Sequence, residues 1–257
     1  MYDLSIVVPT CNRAASLAKC LESIRSSVNC CYEIIVVDGA SSDDTSRVLQ
    51  NVWKQMGGSM RVIEETRREG FVRAVNKGFR AAQGQYLTWL NDDARPLERS
   101  LDRAVDQLAF APHNIGMVAL FNPAGSARNV AMEVRHQGRS FHLQHVRGTL
   151  YANFGVAARA TFEKLNYFDE RYFLNGADPD FSLKVWEAGM KVAPALGAII
   201  DHDELPDARR SDDKGRGEQD NAALFAKWNL PDRATREAEF DQTHPCTLRG
   251  LRAARAA

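Results

Sequence analysis

Residues 84–93 read GQYLTWLNDD, an apolar strand that runs directly into polar and acidic side chains. Two neighbouring ionised carboxylates repel one another and lose hydration inside a fold. A protein therefore keeps them at the end of a buried strand mainly where a cation or a ribose binds. Asp also favours turns and helix N-caps for local reasons, and Asp93 stands just before Pro96. The stretch predicts either a metal and nucleotide site or a solvated turn between a strand and a helix.

Length, composition and charge describe a neutral globular chain. It has 257 residues, of which 44% are hydrophobic and 26% are charged, enough for one large domain or two small ones. Its 33 basic and 33 acidic residues give a formal net charge of zero. Such a chain lacks the positive field that gathers phosphate backbones, so we expect no nucleic acid partner.

Cysteine spacing and hydropathy bear on the compartment. The five cysteines include no C-x-x-C pair, and Cys30 and Cys31 are too close in sequence for an ordinary disulfide. The apolar runs are far shorter than a bilayer span, and the chain enters a strand almost at once, without a leader pattern. These patterns predict a cytoplasmic protein. The basic stretch 248–255 favours at most a peripheral contact with an anionic membrane.

Strands and helices alternate through the first half. Apolar strands are predicted at 4–8, 32–37, 60–63 and 85–90, with amphipathic helices between them, the last at 71–82. Strands that are apolar on both faces and joined by helices are typical of a parallel sheet covered on both sides. In such a Rossmann-like α/β half, ligands bind beyond the carboxyl ends of the strands. Thr10, Asp38 and 91–93 all lie at such ends.

The second half predicts a smaller, mixed part. We predict a helix at 101–110, a strand at 115–121, a hairpin within 129–144, a strand at 151–158, a helix at 178–188 and a mobile loop at 203–220. No linker separates the halves. The prediction is a single domain at 1–235, with halves at 1–96 and 97–235 and a tail at 236–257.

The first strand carries neither of the common phosphate-binding motifs. It runs into VPTCN at 8–12 rather than G-x-G-x-x-G, and the chain contains no G-x-x-x-x-G-K-[ST]. These absences argue against dinucleotide oxidoreductases and P-loop kinases. A site of carboxylates and amides is left, which suits a sugar, a base edge and a divalent cation that holds a diphosphate.

An ordered set of motifs resembles the family 2 inverting glycosyltransferases of the GT-A fold. The motifs are SIVVPTCNR at 5–13, IIVVDGASSDDT at 34–45, a set from Gly70 to LNDD at 90–93, and GADPDFSLK at 176–184. The resemblance implies a Rossmann-like, mostly parallel central sheet flanked by helices. It also implies that 1–96 binds a nucleotide sugar and that 97–235 forms the acceptor side.

The resemblance implies a donor site built from strand ends and the helix beside them. Its residues would be Pro9, Thr10, Asn12, Arg13, Asp38, Arg73, Asn76, Asn91 and Asp92. Thr10 and Asp38 would hold the base and ribose, since a carboxylate accepts from N–H and hydroxyl groups, and Asp92 would bind the ribose. Asp38 can equally begin a turn or cap the next helix. A solvated surface position is the commoner fate of an arginine such as Arg73.

The resemblance also implies a divalent cation, Mn²⁺ or Mg²⁺, bound by Asp93 and His202. Carboxylate and neutral imidazole are suitable ligands for Mn-like ions. His202 lies within DHDE at 201–204, so a surface histidine among acids is the alternative. Asn91 stands where many relatives carry Asp, which leaves the motif with one charge fewer.

Asp178 matches the catalytic base of the family. In an inverting single displacement, one carboxylate takes the proton from the acceptor hydroxyl as it attacks the anomeric carbon. Asp178 and Asp180 also bracket Pro179 at a helix start, where acids complement the helix dipole. A capping role is therefore the alternative. Ala177 departs from the family's usual Glu.

The predicted function is inverting transfer of a sugar from a nucleotide-sugar donor to a glycan or other hydroxyl acceptor, assisted by a metal. A nucleotidyltransferase would need a Gly/Arg/Lys-rich phosphate loop near the N-terminus, where only Asn12 and Arg13 stand. A sugar-nucleotide-binding protein without activity is suggested by Asn91 and Ala177. The predicted loop at 203–220 is expected to order over the donor.

Overall fold

Strands and helices alternate regularly in the first half of the chain and less regularly in the second. The computed structural model describes residues 2–123, 129–146, 148–203 and 213–230. The first elements are β1 (Leu4–Thr10), α1 (Ala14–Ser27), β2 (Tyr32–Asp38), α2 (Thr45–Met56), β3 (Met60–Glu64), α3 (Phe71–Ala81), β4 (Tyr86–Trp89) and β5 (Ala94–Pro96). The later ones are α4 (Ser100–Ala109), β6 (Ile115–Phe121), β7 (Val130–His136), β8 (Arg139–Val146), β9 (Thr149–Tyr151), β10 (Gly155–Ala158), α5 (Arg159–Lys164), α6 (Ala177–Glu187), β11 (Lys191–His202) and α7 (Lys214–Trp228).

The main sheet has eight strands in the order β3-β2-β1-β4-β10-β6-β11-β5. The first four strands of this order run parallel, and β11 is parallel to β6. In contrast, β10 is antiparallel to both of its neighbours, and β5 is antiparallel to β11. Strands β7, β8 and β9 form a separate antiparallel sheet. The predicted α/β architecture, with a mostly parallel sheet and a smaller mixed part, is confirmed.

Helices cover both faces of the main sheet because its central strands are apolar on both sides. Every residue of β1 is buried. Val7 packs on one face in a cluster with Val75 and Phe79 of α3. Ile6 packs on the opposite face in a cluster with Leu17 of α1. Burying a side chain of this size stabilises the fold by about 1.5–3 kcal/mol, so the two clusters fix the sheet whose strand ends carry the site.

Gly78 on α3 sits directly against β1, which leads to a stability prediction. A Cβ atom there would lie 2.3 Å from Val7 Cγ1, so Gly78→Ala must push α3 away from the sheet. We expect a loss of about 1–3 kcal/mol in the free energy of unfolding, measured by urea denaturation. The control is Gly215→Ala in α7, where a Cβ would meet nothing within 4 Å. A Gly78→Ala variant as stable as the wild type would contradict this packing.

The strand predicted at 151–158 is wrong as a single element. The chain pairs with the small sheet through β9, which ends at Tyr151, and enters the main sheet at Gly155 in β10. The chain bends between the two strands at Asn153 and Phe154, and a Cβ at Gly155 would lie only 2.9 Å from Ala152 Cβ and 3.2 Å from Trp89 Cη2. The hairpin predicted within 129–144 is confirmed as β7 and β8, which extend slightly beyond it.

The loop predicted at 203–220 is also wrong in its last part. Residues from Lys214 onward form the first turns of α7. The sequence there is polar and contains glycines, which predicted a loop. The helix is instead held by polar contacts of Asp213 and Asp220 with residues distant in sequence. Residues 204–212 and the predicted tail at 236–257 lie outside the described residues, and their predictions stay untested. Within the ranges given above, no helix is both long enough and apolar enough to span a bilayer.

Candidate active site

A cavity of about 910 Å³ opens at the carboxyl ends of β1 and β4. One wall comes from the first half and includes Pro9, Thr10, Arg13, Asn91, Asp92 and Asp93. The other wall comes from the second half and includes Asn122, Tyr151, Asn153 and Asp178, while His202, also from the second half, lies beside Asp93. Helix α7 contributes Asp213, Gly217, Glu218 and Asn221. The sheet thus brings residues distant in sequence around one space, at the edge where ligands of parallel sheets bind.

Asp92 and Asp93 face Arg13 across the end of the sheet. The Arg13 guanidinium donates to Asp92 Oδ1 through Nη1 and to Asp93 Oδ2 through Nη2, each at 2.8 Å. Thr10 Oγ1 donates to Asp92 Oδ2 at 2.8 Å. Both carboxylates are almost fully buried. Their mutual repulsion is therefore offset by a charged donor placed between them.

His202 completes this cluster from the last strand of the main sheet. Strand β11 pairs with β5 so that His202 lies opposite Ala94, immediately after the acidic motif. His202 Nε2 is 3.0 Å from Asp93 Oδ1 and 3.2 Å from Asn91 Nδ2. Arg95 binds Asp201 and Asp203 on either side of His202 and fixes this register. The contact depends on strand pairing between residues that are far apart in sequence.

Asp93 is held in its ionised form. Burial raises the pKa of its carboxyl, but hydrogen bonds and charge interactions with His202 and Arg13 outweigh burial and leave the pKa well below its usual range. Asp93 and His202 offer a carboxylate oxygen and an imidazole nitrogen as potential metal ligands. No group of three or more His, Cys, Asp or Glu side chains that could hold a metal ion occurs in the described part of the chain.

Asp178 lies on the opposite wall, in the first turn of α6. Gly176, with a left-handed φ of 82°, turns the chain into the helix just before it. Burial raises the pKa of the Asp178 carboxyl to about 7, against a smaller lowering by a hydrogen bond from its own backbone amide. A carboxylate in this state accepts a proton efficiently near neutral pH. Asp178 also lines the cavity, so that proton can come from a bound molecule.

Asp180, two residues further on, has a different environment. It is fully buried and accepts hydrogen bonds from Tyr172 Oη at 3.2 Å and Trp228 Nε1 at 2.7 Å. Lys227 Nζ lies 2.6 Å from the same Asp180 oxygen. Asp180 therefore anchors the end of α7 to α6 and does not line the cavity. The Asp-Pro-Asp motif separates into one carboxylate that faces the cavity and one that holds the fold.

Helix α7 is fixed over the cavity by polar contacts along its length. The Asp220 carboxylate accepts from the backbone amides of Phe173, Leu174 and Asn175 at 2.7–3.0 Å. Arg68 forms an ion pair with Asp213 just before the helix. Buried ionic contacts of this kind orient an element as much as they stabilise it. The helix thus provides a positioned wall.

Four of the predicted donor residues do not line the cavity. Asp38 accepts from Ser41 N and Ser41 Oγ, and Asn12 Oδ1 accepts from Ser42 N, so both organise the turn after β2. Asn76 is fully buried, with its amide bonded to the backbone of Phe168. Arg73 is exposed on α3. None of these four residues lines the described cavity.

Several cavity residues were missed by the sequence predictions. On the second-half wall, Tyr151 Oη and Asn153 Nδ2 both donate to Gln144 Oε1, at 2.7 and 2.5 Å. Asn122 directly follows the apolar strand β6, just as Asp38 ends β2, and a polar residue at a strand end was a usable signal. Tyr151 and Asn153 lie in the segment that was predicted as one continuous strand. Glu65 and Arg68, outside the quoted motifs, also line the cavity.

Comparison with known proteins assigns the chain to a family. The family described as glycosyl transferase family 2 matches residues 5–166, more than half of the chain. The chain belongs to glycosyl transferase family 2. The matched range of this family 2 protein contains Thr10, Asp92 and Asp93, and it ends before Asp178 and His202.

Curated relatives of this family 2 chain are glycosyltransferases. It is 37% identical over 101 residues to the GalNAc(5)-diNAcBac-PP-undecaprenol beta-1,3-glucosyltransferase of Campylobacter jejuni, covering 39% of the chain and 33% of that protein. It is 35% identical over 89 residues to a PGL/p-HBAD biosynthesis glycosyltransferase of Mycobacterium tuberculosis, covering 35% of the chain and 34% of that protein. The match thus spans about a third of the length of each.

A solved structure shares the fold of the family 2 chain. It is a mannosyltransferase from Pyrobaculum calidifontis in complex with GDP-Man and Mn²⁺, with a TM-score of 0.70 and 22% sequence identity. The similarity covers 100% of this chain and 76% of the other. At this identity the likeness shows the fold alone, and it confirms the predicted GT-A architecture.

Proposed function

We propose that the protein is an inverting glycosyltransferase that moves a sugar from a nucleoside diphosphate sugar to an acceptor hydroxyl. The observation that carries the proposal is the set of side chains that line one cavity. One wall holds the ionised Asp93 beside His202, and the other holds Asp178 with a pKa of about 7. Family membership and the named activities of the relatives support the same reaction.

The reaction is a single displacement at the anomeric carbon. Asp178 takes the proton of the acceptor hydroxyl while that oxygen forms a bond to the sugar. The bond between the sugar and the diphosphate breaks on the opposite side, and its electron pair leaves with the diphosphate. Because one face is attacked as the other departs, the configuration inverts. Holding the two substrates in line between the walls lowers the barrier by several kcal/mol.

Asp92, Thr10 and Arg13 are proposed to bind the donor. Asp92 is set by Thr10 at 2.8 Å and offers its oxygens to ribose hydroxyls. Arg13 lies between the two carboxylates and offers a planar fork that matches phosphate oxygens. The GDP-Man held by the mannosyltransferase of the same fold supports a nucleotide sugar as donor. The predicted donor contacts of Asp38, Asn12, Arg73 and Asn76 stay predictions, although none of the four residues lines the cavity.

A divalent cation, Mn²⁺ or Mg²⁺, is proposed as cofactor, with Asp93 and His202 as its protein ligands. The donor set fits, because Asp93 Oδ1 and His202 Nε2 are 3.0 Å apart. A carboxylate oxygen and an imidazole nitrogen this close together would both reach one ion, and both are ligand types that Mn-like ions accept. When bound, such an ion stabilises the charge that develops on the leaving diphosphate.

The proposal is tested by thermal shift with UDP, GDP, dTDP and CDP, each with and without Mn²⁺. We expect at least one nucleotide to raise the melting temperature, and Mn²⁺ to increase that effect. A ligand at a hundred times its dissociation constant stabilises by about 2.7 kcal/mol, equivalent to about 5–10 °C for a chain of this size. If no nucleotide changed the melting temperature at millimolar concentration with Mn²⁺, the donor site would be wrongly assigned.

A further inference from the structure

Arg13 binds one oxygen of each of the two carboxylates that lie beside the proposed cation site. Asp93 Oδ2 accepts a hydrogen bond from Arg13, and Asp93 Oδ1 lies in hydrogen-bond contact with His202. Asp92 Oδ1 accepts from Arg13, and Asp92 Oδ2 accepts from Thr10. The Arg13 side chain is only 8% exposed, so little water screens these contacts. Arg13 therefore supplies a positive charge to both carboxylates.

A guanidinium and a divalent cation on one carboxylate repel each other. Their charges would lie within a few ångströms, and repulsion at that range is strong where burial lowers the effective dielectric constant. Arg13 thus weakens metal binding as long as it stays between Asp92 and Asp93.

The backbone around Arg13 is fixed, so the side chain is the part that can move. Arg13 is the N-cap residue of α1, and its carbonyl accepts from Leu17 N at 2.9 Å. Asn12, just before it, has a left-handed φ of 54° and is tied to the 41–43 turn through Ser41 and Ser42. Rotation of the Arg13 side chain carries its fork from the acids into the cavity it already lines.

We propose that Arg13 is a positioning residue that holds the Asp92–Asp93 pair until donor and metal arrive, and then transfers to the diphosphate. This inference rests on the proposed function. The diphosphate offers oxygens that a guanidinium binds in bidentate fashion, so Arg13 exchanges one set of anions for another. Metal and nucleotide consequently bind as a unit, and each strengthens the other by the same factor.

The test measures Mn²⁺ affinity from the electron paramagnetic resonance signal of the free ion. Arg13→Gln is compared with the wild type, first with Mn²⁺ alone. We expect the variant to bind Mn²⁺ about tenfold more tightly or better, since removal of 1.4 kcal/mol of repulsion corresponds to a factor of ten. The matched control is Arg61→Gln. It removes the same charge from an ion pair with the buried Glu33, neither of which lines the cavity, and it is expected to bring no tightening.

The second arm adds the nucleotide selected by the thermal-shift panel. The nucleotide should raise the Mn²⁺ affinity of the wild type by a larger factor than that of Arg13→Gln. Equal Mn²⁺ affinities without nucleotide, or equal nucleotide effects in both proteins, would overturn the role of Arg13. Failure of the proposed function is distinguishable, because then no nucleotide changes the melting temperature of either protein, while the arm with Mn²⁺ alone still reports on Arg13.

Folding of the variant is checked by circular dichroism. If Arg13→Gln does not fold at the assay temperature, Arg13→Lys replaces it. The lysine ammonium keeps the charge but is a point donor that cannot bridge both carboxylates as the planar fork does. Arg13→Lys should therefore bind Mn²⁺ alone more tightly than the wild type, and by a smaller factor than is expected for Arg13→Gln. An affinity equal to or weaker than that of the wild type would again count against the proposal.

Discussion

Asp178→Asn is expected to lower the rate of sugar transfer by about a hundred- to ten-thousandfold, because it removes a positioned general base. Asp178 lines the cavity, and burial raises its pKa to about 7, so the carboxylate has the basicity needed near neutral pH. Turnover is measured with the donor and acceptor once they are found, and donor affinity is measured on the same variant. We expect donor affinity to be kept. Transfer at a near wild-type rate would move the base elsewhere.

The pH dependence of stability provides a readout for Asp178 that needs no substrate. Its carboxyl has a pKa of about 7 in the fold and 3.8 ordinarily, so folding favours the neutral form. The stability it contributes is fully present below pH 4 and is lost as pH rises through 7. Asp178→Asn should therefore melt several degrees or more above the wild type at pH 8 and at the same temperature as the wild type at pH 4. A lower melting temperature at pH 8 would indicate a capping role instead.

Asp180→Asn is the matched comparison on the same helix turn. Asp180 pairs with Lys227 and accepts from Tyr172 and Trp228 in a fully buried setting. Removing its charge leaves the Lys227 ammonium without one of its partners. A variant that breaks a buried ion pair loses about 3–5 kcal/mol, so Asp180→Asn should destabilise the fold strongly. The two neighbouring carboxylates are thus expected to give opposite changes in melting temperature at pH 8.

Asp93→Ala and His202→Ala are expected to remove metal-dependent transfer, with a fall of about a hundredfold or more. A bound cation contributes several kcal/mol of charge stabilisation to the transition state, and these residues are its proposed protein ligands. The measurement is transfer rate against Mn²⁺ concentration, with EDTA as the metal-free reference. His136→Ala, at an exposed position on β7, is the matched control and should behave as the wild type. Transfer that is insensitive to EDTA would exclude the metal.

The repeating pattern of apolar residues predicted most of the fold because local sequence fixes it. β1, β2 and β6 are buried runs, and buried runs between amphipathic helices have few other arrangements. Helix α7 could not be predicted this way. It is held by Asp220 and the Asp213–Arg68 ion pair, which act between residues distant in sequence and leave little apolar periodicity.

For two of the predicted site residues, the sequence already indicated a structural role away from the cavity. Asn76 follows Val72 by one helical turn and so lies on the buried face of α3, a position that its spacing already indicated. The Asp38 carboxylate accepts a hydrogen bond from Ser41, three residues away, in a turn that any Asp at a strand end can form. The Arg13 contact with Asp92 and Asp93 could not be inferred, because it depends on the relative placement of two strand ends.

The position of β10 between β4 and β6 governs how this enzyme scaffold can be re-engineered. Val156 pairs with Thr88, and Thr88 Oγ1 donates to Gly155 O at 2.8 Å, so the two halves meet inside one continuous sheet. A chimera that grafts the acceptor half of another protein must reproduce this seam. Cutting only at surface loops would leave unpaired strand edges, which promote aggregation. With the seam kept, the proposed acceptor half could be exchanged while the proposed donor half stays constant.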